Sequence, residues 1–229
     1  MNKKLLDLYS DYLISQGHYA TATGLAFILD GEVSHDQVSR FLRTEAYSAK
    51  NVWDYIKQPV RYYEESKDGV LVLDDTISEK SHTDENAVNC WHYSHAKHRH
   101  VKGINLLSCL VRYGDTAFPI GYEILEKDIL YSDLETRRQK RKASISKNEL
   151  FRALIQQAVM NNVLVDYVLA DNWFGSKENM QFIHKTLKKF FILGIKSNRC
   201  VALTRHQAKS GQFQQLNSLA WKDGDCHTV

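Results

Sequence analysis

Only two prolines occur in 229 residues, and no stretch is biased enough in composition to read as a low-complexity tail or an internal repeat. Solenoid, collagen-like and mucin-like architectures are excluded on that ground. The four cysteines, Cys90, Cys109, Cys200 and Cys226, are scattered without CxxC spacing. A disulfide framework is therefore excluded, and a reducing cytoplasm is the expected setting. Cys109 lies in an apolar run and reads as a small core residue. Neither a signal-peptide core nor an apolar run of transmembrane length is present. Charge of one sign is also lacking: Lys+Arg 30 against Asp+Glu 27 gives a net +3. Global charge thus says nothing about nucleic acid, and only the local clustering of basic residues can.

What is present begins with helix. At 43% hydrophobic, the chain can bury one full domain and a small accessory one. In residues 1–66, Leu5, Leu6, Leu8, Tyr9, Tyr12 and Leu13 form one apolar face. An apolar segment over 20–29 runs into Asp30-Gly31, a turn signal. Ser34 then reads as an N-cap with Gln37 at the capping-box position of a helix through Leu42. Helix, short turn, helix is the layout of a helix-turn-helix. Its second helix would offer Asp36, Gln37, Ser39 and Arg40 to DNA, unless the pair is an ordinary helical hairpin.

From Lys67-Asp68-Gly69 the period changes to that of short strands. Residues 70–75 read as one strand, and 104–113 with 117–125 as a hairpin around Gly114-Asp115. A helix over 147–161, a strand at 165–171, a helix at 175–188 and a strand at 190–195 follow. That order predicts a mixed α/β sheet of the ribonuclease-H-like kind.

Two of these strands end in carboxylate. Val70-Leu71-Val72-Leu73 leads into Asp74-Asp75, and Tyr167-Val168-Leu169-Ala170 leads into Asp171-Asn172. Each alone is as well explained as a turn or cap residue. Side by side, the strands would bring two like charges to one sheet rim, and such a pair calls for a cation. Hard oxygen ligands suit Mg2+ or Mn2+, with phosphate oxygens and water completing the shell, which points to phosphoryl transfer on nucleic acid.

Leu73-Asp74-Asp75-Thr76 and Leu169-Ala170-Asp171-Asn172-Trp173-Phe174-Gly175, with the Ser34–Leu42 segment ahead of them, resemble the DDE transposases of bacterial insertion sequences, within them the group with a "DDT" first motif. The resemblance implies a ribonuclease-H-like core, two divalent metals, and hydrolysis followed by strand transfer at transposon ends. It assigns the catalytic and metal-binding aspartates to Asp75 and Asp171, with Asp74 a neighbour on the other strand face. It also demands a third carboxylate, a glutamate on a later helix. Glu178 is the only glutamate after Asp171, and it falls in the helix directly following the strand. The expectation is therefore a helix-turn-helix-like domain over 1–66 and an incomplete core over 67–229, truncated within a strand-rich insertion and catalytically weak alone. An incomplete core would leave its last sheet edge and its helix-facing surface uncovered, and poor solubility would follow.

Three further clusters bear on DNA. Histidines are dense from Ser81 to His100, but no second ligand pair has zinc spacing. The segment reads instead as a loop over the active site, with Lys97, His98, Arg99, His100 and Lys102 on phosphates. Arg137, Arg138, Lys140, Arg141 and Lys142, with Lys147 beyond, read as a solvated loop or as sequence-independent DNA contacts. Trp173 and Phe174 either stack on an unpaired base or pack into the core. The leading expectation is a transposase of the bacterial nucleoid, acting on transposon ends and target DNA as a homo-oligomer or in mixed assembly with a full-length enzyme. The alternatives are a non-catalytic DNA-binding remnant and, third, a ribonuclease-H-type nuclease using Asp74, Glu123 or Glu178.

Overall fold

The computed structural model describes residues 3–17, 19–44, 48–64 and 69–220. The chain divides into two compact units, Met1–Ser48 and Ala49–Val229.

The first unit holds α1 (Lys3–Ser15), α2 (Ala22–Ile28) and α3 (His35–Thr44). Tyr12, Leu25 and Val38, one from each helix, form its small core. Thr21 caps α2 by accepting a hydrogen bond from the Gly24 amide at 3.0 Å. Ser34 and Gln37 form the expected reciprocal box at the start of α3, at 2.8 and 3.2 Å. Between α2 and α3, Asp30 and Gly31 both take positive φ (48° and 82°), which turns the chain sharply.

The second unit starts with α4 (Ala49–Glu64). A boundary at residue 66 lies outside the described residues, and α4 itself belongs with the sheet, because Trp53 and Val60 are buried in its core. Six strands build that sheet: β1 (Gly69–Glu79), β2 (Cys90–Ser94), β3 (Arg99–Tyr113), β4 (Thr116–Ile124), β7 (Tyr167–Ala170) and β8 (Phe190–Leu193). β2 and β4 share one edge of the long β3, and β1 lies antiparallel along its other edge. β7 pairs parallel to β1, and β8 parallel to β7. An antiparallel meander followed by two parallel strands is the ribonuclease-H-like mixed sheet. A separate hairpin, β5 (Ile129–Ser132) and β6 (Gln139–Lys142), precedes α5 (Lys147–Met160). After β7 come α6 (Lys177–Gln181) with a π-helical turn (Phe182–Thr186) and, beyond β8, the small pair β9 (Cys200–Val201) and β10 (Gln214–Gln215) around α7 (Arg205–Ser210).

The core sits on one sheet face, where Leu71, Leu73, Leu107, Val111 and Val168 meet Phe151, Leu154, Ile155 and Ala158 of α5. On the opposite face, β7 and β8 leave Tyr167, Leu169, Phe190 and Ile192 between 37% and 59% exposed. They oppose one another in register, and the Tyr167 and Phe190 rings stack at 5.4 Å. The final residues, 221–229, where the sequence offers no further helix, lie outside those described.

Candidate active site

β1 alternates buried and half-buried residues up to Leu73 and turns polar at Asp74. Leu73 pairs with Ala170 of β7, so both strands run out into aspartates at the same rim. The rim opens into a cleft of about 1090 Å³ lined by Asp74, Asp75, Asp171, Trp173, Lys147 and Lys196 among others.

Asp75 is the more firmly held carboxylate. Its Oδ2 accepts from Asn105 Nδ2 at 2.8 Å and from Lys147 Nζ at 2.7 Å. Asn105 is 2% exposed, and its Oδ1 has no hydrogen-bond partner among the described residues. Lys147 is the first residue of α5, whose start is fixed by a capping box between Ser146 and Glu149. Asp74 is exposed and its Oδ1 accepts from the Asp75 amide at 2.8 Å. Asp171 Oδ1 accepts from the Trp173 amide at 3.0 Å, an Asx turn that bends the chain out of β7. The turn packs without side chains between: a Cβ on Gly175 would overlap the Gly194 carbonyl oxygen, and one on Gly194 would meet the Asn172 amide nitrogen at 2.8 Å.

The two aromatic residues after Asp171 part company. Phe174 is fully buried and stacks on Phe151, with centroids 4.5 Å apart. Trp173 stays 40% exposed on the cleft wall, with Lys147 Nζ 4.9 Å and Lys196 Nζ 4.7 Å from its ring centroid. The His95 ring lies 6.0 Å from it.

On the β2 side, Ser81–His100 is not a loop throughout. β2 pairs with β3, and the histidines divide by alternation. His92 faces inward at 5% exposure, 3.3 Å from Cys90 Sγ, and lines the cleft. Burial pushes its imidazole down to about 4, helped by the positive charges of Lys127 and Lys147, so the ring is neutral. Burial likewise raises the Cys90 thiol, which makes it a poor nucleophile or metal ligand. Lys97 lines the cleft, yet its ammonium and the Arg99 guanidinium both pair with Glu79, at 2.5 and 3.8 Å. Lys102 lies opposite Trp91 in the strand pair.

The basic run is structured too. Arg137 takes φ 53° in the loop between β5 and β6, and the Arg138 carbonyl accepts from the Asp133 amide. Lys140 pairs with Asp133 at 2.6 Å, Arg141 with Glu85 at 3.6 Å, and Lys142 sits over the Tyr131 ring at 5.8 Å. None of these lines the cleft. In the first unit, Arg40 is exposed on α3 and borders a groove with Lys4. Of the spare carboxylates, Asp74 lines the cleft, whereas Glu123 and Glu178 do not. Glu123 lies beyond Leu107 from Asp75, with burial raising its carboxyl, and Glu178 stands in the first turn of α6.

Asp75 and Asp171 suit a hard divalent cation in kind, since each keeps one oxygen clear of the hydrogen bonds just described. Among the described residues, no third carboxylate, histidine or cysteine completes a metal-binding group with them. Asn105 and Lys196 belong to no motif legible in the sequence, and Lys147 stands there only as a cation beyond a basic run. Asn105 had a signal: it is polar in a strand where Leu107 and Cys109 are buried at the same parity.

No protein of curated function matches the chain significantly. Among solved structures it is similar to the Drosophila P element transposase strand transfer complex, at 10% identity over 79% of this chain and 41% of that one, with a TM-score of 0.25. It is similar also to the Mos1 transposase paired-end complex with left transposon end, at 15% identity over 83% of this chain and 57% of that one, with a TM-score of 0.26. The chain thus spans about half the length of those two proteins. No helix among the described residues is long and apolar enough to cross a membrane. The model of one family, described as DDE superfamily endonuclease, matches residues 1–213. With that match running through both aspartate-bearing strands, the chain belongs to the DDE superfamily endonucleases.

Proposed function

We propose that this chain supplies the aspartate pair of a divalent-metal-dependent DNA transposase of the insertion-sequence type, acting at transposon ends. The observation that carries the reading is the pair Asp75 and Asp171 at one sheet rim, facing a cleft that also holds four lysines. Mg2+ or Mn2+, when bound, would lower the pKa of a water or 3′-hydroxyl and stabilise the leaving oxygen. Asp75 and Asp171 would hold it. Asn105 fixes the Asp75 carboxylate from below, and the Asx turn fixes Asp171. Lys97, Lys127, Lys147 and Lys196 make the cleft attractive to phosphates. Arg40, the β2–β3 residues Lys97, Arg99 and Lys102, and the β5–β6 residues Arg137, Arg138, Lys140, Arg141 and Lys142 are the proposed DNA contacts. Those already paired with carboxylates would trade that partner for phosphate.

With no third carboxylate grouped with Asp75 and Asp171 among the described residues, this polypeptide alone binds DNA but cuts it poorly, because a misplaced metal forfeits the alignment that the reaction needs. The alternative, a purely DNA-binding protein that occupies transposon ends, draws on the same shortage of a third carboxylate. DNA binding and nicking, each measured with Mg2+ and with chelator, test the proposal. Mg2+ should strengthen binding by the native chain and leave Asp75→Asn and Asp171→Asn unchanged. Equal metal responses in all three would remove the metal centre, and rapid cleavage by the chain alone would remove its incompleteness.

A further inference from the structure

Lys147 is placed oddly for a structural residue. It is the first residue of α5, where the positive end of the helix dipole disfavours an ammonium. Its side chain and that of Asp75 are each only 17% exposed, so four rotatable bonds are held in one geometry. What it gains is the Asp75 Oδ2 bond at 2.7 Å, directly on the carboxylate that faces the cleft. It also has a second seat, since Nζ lies 4.9 Å from the centre of the Trp173 ring. Lys196 shows that this ring holds an ammonium unaided: it sits 4.7 Å from the same centroid and has no carboxylate partner among the described residues.

We propose that Lys147 is a resident counter-cation for Asp75, whose ammonium a divalent ion at the clear Oδ1 would repel from Oδ2 and which then rests on Trp173, turned toward the DNA phosphate. The inference rests on Asp75 and Asp171 being a cation site. An ammonium on Asp75 relieves the like-charge repulsion between the two aspartates while no metal is there. It thereby weakens metal affinity, coupling metal entry to release of a phosphate-seeking lysine in the same cleft. Lys147 is a positioning residue in this scheme. Asn105 keeps its hydrogen bond throughout, so Asp75 stays oriented while its cation changes.

The test is Mn2+ binding to the full chain, followed by electron paramagnetic resonance of the free ion. Lys147→Met should bind Mn2+ about tenfold more tightly or better, the worth of one charge-assisted hydrogen bond. Lys147→Arg, which keeps the charge, should show no gain, and the gain should vanish in an Asp75→Asn background. Equal or weaker binding by Lys147→Met, with Asp75→Asn and Asp171→Asn still costing affinity, overturns the Lys147 role alone. Unchanged binding in both aspartate variants overturns the metal centre and this inference with it. A second reading uses the unmutated chain: acylation of Lys147, mapped by mass spectrometry against Lys196, should rise when Mn2+ is added. Labelling that stays level or falls argues against displacement.

Discussion

Truncating Glu64 to alanine tests why α4 belongs to the sheet unit. The Glu64 carboxylate is 8% exposed, and three donors converge on it: Tyr113 Oη at 3.2 Å, the Leu164 amide at 3.0 Å and Arg61 at 2.6 Å. Arg61 reaches on to the Asn161 and Asn162 carbonyls, at 2.5 and 2.7 Å, and so completes the C-terminal end of α5. One side chain thereby ties α4, β3 and the connection from α5 to β7. Glu64→Ala leaves the amide and the phenol without that acceptor and the guanidinium without its carboxylate. Breaking a buried pair costs about 3–5 kcal/mol. Arg61 is 42% exposed and keeps its two carbonyls, which lowers the expectation to about 2–3 kcal/mol. For a unit of this size that lowers Tm by roughly 5–10 °C. Calorimetry of Glu64→Ala, Tyr113→Phe and the double variant should give a coupling above about 0.5 kcal/mol, because the two share one network. A fragment beginning at residue 49 should melt cooperatively, whereas one beginning at 67 loses Trp53 and Val60 from the core and should not. A Glu64→Ala loss under about 0.5 kcal/mol, or a fragment from 67 that melts like the longer one, would refute the reasoning.

Two other predictions concern the cleft. His92 titrates at about 4 in the fold against about 6.5 unfolded, so the unfolded chain binds the extra proton and stability falls as pH drops from about 6.5 to 4. The full loss attributable to His92 is about 3 kcal/mol; thermal melts across that range should show His92→Gln with a flatter slope than the native chain, and equal slopes would assign the effect elsewhere. Gly194→Ala presses a methyl group onto the Asn172 backbone and should move the Asp171 turn, at a stability cost of about 1–3 kcal/mol. Mn2+ affinity should fall as it does in Asp171→Asn, and native affinity in the alanine variant would show that the turn tolerates the shift.

The strands that carry the aspartates were legible because period and polarity agree there: apolar runs of strand length end abruptly in carboxylate, and the parallel register of β1 with β7 does the rest. The capping box at Ser34 was legible for the same local reason, since donor and acceptor lie three residues apart. What stayed hidden depends on partners distant in sequence. β2 looked like a histidine cluster because its inward and outward residues, His92 against Trp91 and Tyr93, separate only once β3 supplies a sheet. β6 is Gln139-Lys140-Arg141-Lys142, a composition that opposes strand formation, and it is held by Asp133 and Glu85 from other segments. α4 has its own helical periodicity, which says that it buries a face but not against which unit. Lys147 stands 72 residues from Asp75, so no local pattern pairs them, and on sign alone it groups with the basic run of Arg137–Lys142. Side-chain geometry separates it from that run: the run's cations meet carboxylates and a ring away from the cleft, whereas Lys147 meets the aspartate that the chemistry would need. A lysine in that position makes the charge state of the site depend on what else occupies the cleft, and this is where sequence periodicity stops and electrostatics takes over.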